Sequence, residues 1–202
     1  MASSVEAVLK DTEYRPELQE RIAHRRVPQI LEVAEPDPSW PETFKVLESR
    51  ILSALGNEVI SVEHYGSTSV PGLPAKAIID IDLTVRDPVD EASYAAQLEA
   101  AGFHFISRQR HWHENRFFCS YKPAANVHVW GPGSPEALRH KIFRDWLLKS
   151  KDDRELYTKA KRDAIAATST AASNPGQQYN SRKESVVRQI LQRALRDAGC
   201  VQ

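Results

Sequence analysis

Cysteine is scarce in this chain: Cys119 and Cys200 are the two among 202 residues. Their separation fits no paired metal motif, and two thiols make no disulfide framework at this length. The cytoplasm is therefore the expected compartment. No apolar run approaches the roughly 20 residues that span a bilayer. Residues 1–10 have no basic stretch followed by an apolar one, so no signal peptide is expected. Neither sign of charge is in excess. Lys plus Arg number 27 and Asp plus Glu number 27, for a formal net charge of zero. That balance argues against an extended nucleic-acid surface or a grip on anionic membrane, and it leaves room for a local basic pocket. Internal repeats and the glycine patterns GxxxxGK[ST] and GxGxxG are missing as well.

What remains is the composition of a folded protein, with 41% hydrophobic and 27% charged residues. Residues 1–28 read as a polar N-terminal extension with a short helix at 16–25. Residues 29–199 read as one domain, with a core at about 39–131 and a helical part at about 134–198. Ser39 and Glu42 have capping-box spacing, and Pro41 suits a first turn. Trp40, Phe44, Leu47, Ile51 and Leu55 then recur at helical spacing as far as Gly56.

Residues 58–65 read as a strand and 66–74 as a loop rich in Gly, Pro and hydroxyl residues. In 77–85, Ile79, Ile81, Leu83 and Val85 alternate with Asp80, Asp82 and Thr84, the strongest strand pattern in the chain. A helix is expected at 88–101, closed by Gly102. Three short strands are expected at 103–109, 116–121 and 126–130, with antiparallel pairing. A helix starts at Ser134 with Leu138, Ile142 and Trp146 on one face. Ser150 caps another, running to about 167. A polar break at 168–178 precedes a last helix at 181–198. Strands flanked by helices, then a helical run, predict an α/β (α+β) fold: a mixed sheet with helices packed on it.

Asp80 and Asp82 share one face of their strand, because side chains at i and i+2 point the same way. Two neighbouring carboxylates repel and need solvent, a cation or a divalent metal between them. Mg²⁺ suits oxygen ligands of this kind and completes its shell with water and phosphates. Gly66-Ser67-Thr68-Ser69 follows a strand, where backbone N–H groups and hydroxyls can converge on an anion. Lys76 lies four residues before Asp80. Phosphate donors, a lysine and a carboxylate pair within 17 residues make a plausible site for a metal-bound triphosphate. His64 precedes the turn and can orient it. His111-Trp112-His113-Glu114 reads as a hairpin tip rather than a metal site.

The stretch from His64 to Ile81, HYGSTSVPGLPAKAIIDI, resembles the signature of the GrpB family, whose fold resembles the nucleotidyltransferase superfamily. Supporting resemblances lie at Asp37-Pro38-Ser39-Trp40, Asn126-Val127-His128-Val129 and Phe143-Arg144-Asp145-Trp146-Leu147. Two Tyr/Lys pairs, Tyr157 with Lys161 and Tyr179 with Lys183, add to it. Coverage is roughly residues 30–195. Ala77 stands where the family usually has proline.

The resemblance implies that Gly66 and Ser67, with Thr68 and Ser69, hold a nucleoside triphosphate. It implies that Asp80 and Asp82 bind Mg²⁺ or Mn²⁺, and that a nucleotidyl group moves to an unknown small-molecule acceptor. Lys76, Arg116, Arg144, Lys161, Tyr179 and Lys183 are the expected phosphate or nucleotide contacts. Active superfamily members supply a third carboxylate from a later strand. Here that position offers His128, which can ligate a metal or act as a base. The alternative is a non-catalytic binder of a nucleotide or another phosphorylated ligand that lacks the third carboxylate.

Overall fold

The computed structural model describes residues 5–10, 15–28, 31–168 and 175–201. Among these residues, six strands form one mixed sheet: β1 (Glu20–Arg21), β2 (Val59–Tyr65), β3 (Ile79–Val85), β4 (His104–Gln109), β5 (Asn115–Tyr121) and β6 (Ala124–Trp130). Their order is β1-β4-β5-β6-β3-β2. β3 and β6 run parallel, and the other neighbouring pairs are antiparallel. The helices are α1 (Val5–Leu9), α2 (Trp40–Leu55), α3 (Ala95–Ala100), α4 (Pro135–Lys149), α5 (Lys151–Ala167) and α6 (Pro175–Asp197).

The alternation of β3 divides the molecule. Ile79, Ile81, Leu83 and Val85 join Val127, Val129 and Phe118 on one face. Leu47, Ile51 and Leu55 of α2 and Leu98 of α3 cover that face. Full burial of such a side chain is worth about 1.5–3 kcal/mol. The opposite face carries Asp80, Asp82, Asn126 and His128, which the β3–β6 register places side by side. A second apolar cluster of Val70, Leu73, Leu147, Tyr157 and Ile190 ties the three C-terminal helices to the segment after β2. The polar face therefore lies between a sheet and a helical layer.

Several elements differ from expectation. The helix expected at 16–25 is a single 3-10 turn, Pro16–Leu18, followed by strand β1. The edge of β4 provides the reason: β1 pairs with it, and both Ile22 and Ala23 donate backbone N–H groups to Ile106 O. The N-terminal extension thus adds a strand to the sheet. Ser39 does not form the capping box, since its own backbone is helical (φ −83°, ψ −10°). Its N–H instead donates to Asp37 Oδ1 at 2.8 Å. The helix expected at 88–101 is a 3-10 turn at Glu91–Ser93 and then α3. Tyr94, with φ −145°, breaks the run and buries its ring, and its hydroxyl donates to Pro88 O at 2.6 Å.

In α4 the fully buried side chains are Glu136 and Leu147, while Leu138, Ile142 and Trp146 are half-buried. The face turned inward is partly polar because it borders the site. Of the break expected at 168–178, residues 175–178 are the first turn of α6, where Pro175 suits a helix start; residues 169–174 lie outside the described residues.

Candidate functional site

A cavity of about 410 Å³ opens between the polar face of the sheet and helices α4, α5 and α6. Its floor is Asp80 of β3, with Asn126 and His128 of β6. Asn126 Nδ2 donates to Asp80 Oδ1 at 2.8 Å, and Arg25 donates to Asn126 Oδ1 at 2.7 Å. That second bond fixes the amide so that its NH₂ faces the carboxylate. Burial raises the Asp80 pKa, opposed by the Asn126 hydrogen bond and the Lys76 charge.

Gly66 is what lets the turn pass over Asp80. It has φ +74°, and a Cβ there would lie 2.4 Å from Asp80 Oδ2. The other turn residues have distinct jobs. Ser69 Oγ donates to Gly66 O at 2.6 Å and closes the turn. Thr68 is buried, and its hydroxyl donates to Ile78 O at 3.3 Å while facing His64 Nε2 at 2.9 Å. With that single proton already used, His64 Nε2 is the donor. Burial, reinforced by the Arg144 charge, lowers the His64 pKa to about 4, so the ring is neutral. Ser67 lines the cavity with its hydroxyl 3.1 Å from Lys161 Nζ.

The two Tyr/Lys pairs meet across α5 and α6. Lys161 Nζ lies 4.5 Å from the Tyr157 ring centre, and Lys183 Nζ lies 5.4 Å from that of Tyr179 and 5.8 Å from that of Tyr157. Lys76 completes the cluster, 4.9 Å from Tyr179. Ring faces are negative, so they hold ammonium groups that would otherwise repel one another. Lys161 is buried and also donates to Pro74 O. Burial, with the charges of Lys183 and Arg162, lowers its pKa to about 7. Burial lowers that of Lys76 too, against the Asp80 charge. Among the described residues, no carboxylate forms an ion pair with any of these three lysines.

Asp82 has a different environment from Asp80. Trp130 Nε1 donates to its Oδ1 at 2.7 Å, and His140 Nδ1 lies 2.8 Å from its Oδ2. The His140 ring stacks parallel on Tyr65, with centres 4.1 Å apart. His128 Nδ1 faces Asn115 Oδ1 at 3.3 Å, and the Asn115 amide is set by its donation to Val129 O. His128 therefore carries its proton on Nδ1. Burial lowers its pKa to about 4, against the attraction of Asp82.

The carboxylate pair expected to share a metal is thus divided. Both Asp82 oxygens accept hydrogen bonds from protein donors, whereas Asp80 lines the cavity. Among the described residues, no three His, Cys, Asp or Glu side chains are grouped to hold a metal ion. Asp80 fits the other habit of Mg²⁺, which is one carboxylate completed by water and substrate phosphates.

The structure brings Ser67, Thr68, Lys76, Asp80, His128, Lys161, Tyr179 and Lys183 to one cavity. It does not bring Arg116 or Arg144. Arg116 registers with Val129, so it points to the opposite face of the sheet, where it is fully buried and paired with Glu91 at 2.6 Å. It is a structural ion pair rather than a phosphate contact. Arg144 lies in a separate cavity of about 170 Å³ and donates to His64 O at 2.9 Å, clamping α4 to β2. The sequence reading missed Tyr65, Asn126, Glu136, Arg139 and His140. His140 carried a signal: it follows buried Glu136 by one helical turn and precedes Phe143 and Leu147 on the same face.

The match to the family described as GrpB protein covers residues 30–193. A UPF0157 protein of Halalkalibacterium halodurans is 42% identical over 158 residues, covering 78% of this chain and 79% of that protein. A Mycobacterium tuberculosis protein named dephospho-CoA kinase is 34% identical over 157 residues, which is 63% of this chain but 38% of the kinase. The crystal structure of conserved protein GrpB from Enterococcus faecalis aligns with a TM-score of 0.69 at 25% identity, covering 83% of this chain and 99% of that one. With the family match spanning nearly the whole sheet and the helical layer, the chain belongs to the GrpB family.

Proposed function

We propose that the cavity binds the phosphate chain of a phosphorylated nucleotide, with nucleoside triphosphates as the ligand class. One observation carries this reading. Lys76, Lys161 and Lys183 come from three separate segments and converge on one 410 Å³ cavity, where Asp80 attracts Lys76 and Lys183 but no carboxylate among the described residues forms a direct ion pair with any of the three. Crowded ammonium groups destabilise one another, and a multiply charged anion relieves that repulsion.

The test is thermal stability against a panel of nucleoside triphosphates and inorganic pyrophosphate. A ligand at 100 times its dissociation constant adds about 2.7 kcal/mol. Stabilisation that is lost on Lys161→Met/Lys183→Met supports the reading, and no shift with any of these anions sinks it.

Metal-dependent nucleotidyl transfer is the second reading, favoured by the Asp80 carboxylate on the floor beneath the lysines. Asp80 and the triphosphate oxygens would hold Mg²⁺ or Mn²⁺, which supplies positive charge at the phosphates. The lysines would orient the chain, and the acceptor is a small molecule of unknown identity. This reading predicts a stabilisation that grows with metal and that Asp80→Asn removes.

A further inference from the structure

His140 and His128 are two imidazoles at the same cavity, with ring centres 6.4 Å apart. Each has Nδ1 tied to the protein, His140 to Asp82 and His128 to Asn115. Each therefore has Nε2 left for a ligand. Neither ring is free to turn, since His140 is stacked on Tyr65 and His128 on Trp130, with centres 4.1 and 5.7 Å apart. The fixing groups differ in kind. A carboxylate that accepts from Nδ1 favours an imidazolium, whereas an amide oxygen serves a neutral ring as well. No role in holding phosphate uses either histidine.

We propose that His140 and His128 act as a general acid and a general base that hydrolyse a phosphodiester whose phosphate is held by the lysine cluster. Nε2 of His128 takes a proton from water as the water oxygen bonds to phosphorus. The bond from phosphorus to the leaving oxygen breaks, and His140 gives its Nε2 proton to that oxygen. The products are a phosphate monoester and an alcohol, and the two rings exchange their protons with solvent.

Electrostatics agrees with these roles. Burial opposes a charge on His140, but Asp82 outweighs it, with Glu136 and Asp80 adding to the rise. His128 is held neutral by burial, with His140 and Arg25 adding to the effect against Asp82. Environments that push two such groups apart mark an acid and a base. The inference rests on the phosphate-binding reading above, so its test separates the two.

Wild-type protein in EDTA is given two probes, thymidine 5′-(4-nitrophenyl phosphate) and the dinucleotide thymidylyl-thymidine. Nitrophenolate leaves without a proton, whereas the dinucleotide must expel an alkoxide. The expected result is hydrolysis of both. His128→Gln slows both by about 100-fold or more. His140→Gln slows the dinucleotide by about 100-fold but the nitrophenyl ester by less than about tenfold. Asp82→Asn is the second variant and reproduces the leaving-group dependence of His140→Gln if Asp82 positions that ring. Pyrophosphate still raises the melting temperature of every variant. Turnover of neither probe by wild type, with pyrophosphate binding intact, overturns the histidine pair and leaves the binding reading standing. Loss on His140→Gln that is equal for both probes also overturns it. Failure of pyrophosphate to bind removes the binding reading itself, and the pair with it.

Discussion

Lys161 Nζ lies 3.1 Å from Ser67 Oγ, across 94 positions of sequence. This contact joins helix α5 to the turn after β2, so the helical layer and the sheet are fastened at the rim of the cavity. It also places a cation of reduced proton affinity beside a hydroxyl. A phosphate oxygen entering there meets the Ser67 hydroxyl, which accepts from Lys161 and keeps its own proton to donate.

A proton count follows from Lys161. Its folded pKa is about 7, set first by burial and then by Lys183 and Arg162, against about 10.4 when unfolded. Below pH 7 the group is charged in both states, and the cost of burying the ammonium is felt in full. Between these values the folded protein holds fewer protons, so stability of the ligand-free protein rises with pH there. A bound phosphate chain restores the ammonium. Binding at pH 8 therefore takes up close to one proton, and affinity falls as pH rises through 7. Titration calorimetry at pH 8 in two buffers of different ionisation enthalpy measures the uptake. Lys161→Met removes it.

Gly66→Ala tests the contact between the turn and Asp80. The new Cβ meets Asp80 Oδ2 at 2.4 Å, and φ +74° disfavours any side chain. The expected loss of stability is about 1–3 kcal/mol in urea unfolding. Phosphate binding weakens in the same variant, because the turn must shift away from the carboxylate. Gly72 has φ +76° but nothing within 4 Å of an added Cβ. Gly72→Ala therefore carries the backbone strain alone and leaves binding intact.

Arg116→Met separates structure from chemistry. Arg116 is fully buried and shares Glu91 with Arg108. Removing one partner of a buried pair costs about 3–5 kcal/mol, discounted here because Glu91 is a fifth exposed and keeps Arg108. A loss of about 2 kcal/mol is expected, with ligand affinity unchanged for the molecules that remain folded. Chemical unfolding and a binding isotherm on the same sample check both halves.

Much of this architecture could be read from residue order. The alternation in 79–85 gave β3 and the shared face of Asp80 and Asp82, and apolar spacing gave α2 to its last residue. The two Tyr/Lys pairs were visible as part of the family resemblance, and they meet where Lys183 contacts the Tyr157 ring. The gaps have physical causes. β1 exists because β4 offers an open edge, which no local pattern encodes. The face of α4 turned inward mixes Glu136 and His140 with Phe143 and Leu147, so apolar periodicity found only part of it. Arg116 was one strand position away from the site face, and its register with Val129 is set by pairing rather than by local sequence. The partners of Asp82, Trp130 on β6 and His140 on α4, lie 48 and 58 positions away, beyond the reach of motif spacing.

Titration calorimetry of ATP in EDTA against wild type and Lys183→Met is the most direct test of the lysine cavity. Lys183 is half-buried on α6 and contacts the Tyr157 and Tyr179 rings. A charge-assisted contact of about 1.5–3 kcal/mol corresponds to roughly tenfold or more in affinity. Saturable binding of ATP to wild type, weakened by at least about tenfold in Lys183→Met, is the predicted result. Equal affinity in the two proteins, or no binding by wild type, contradicts the account.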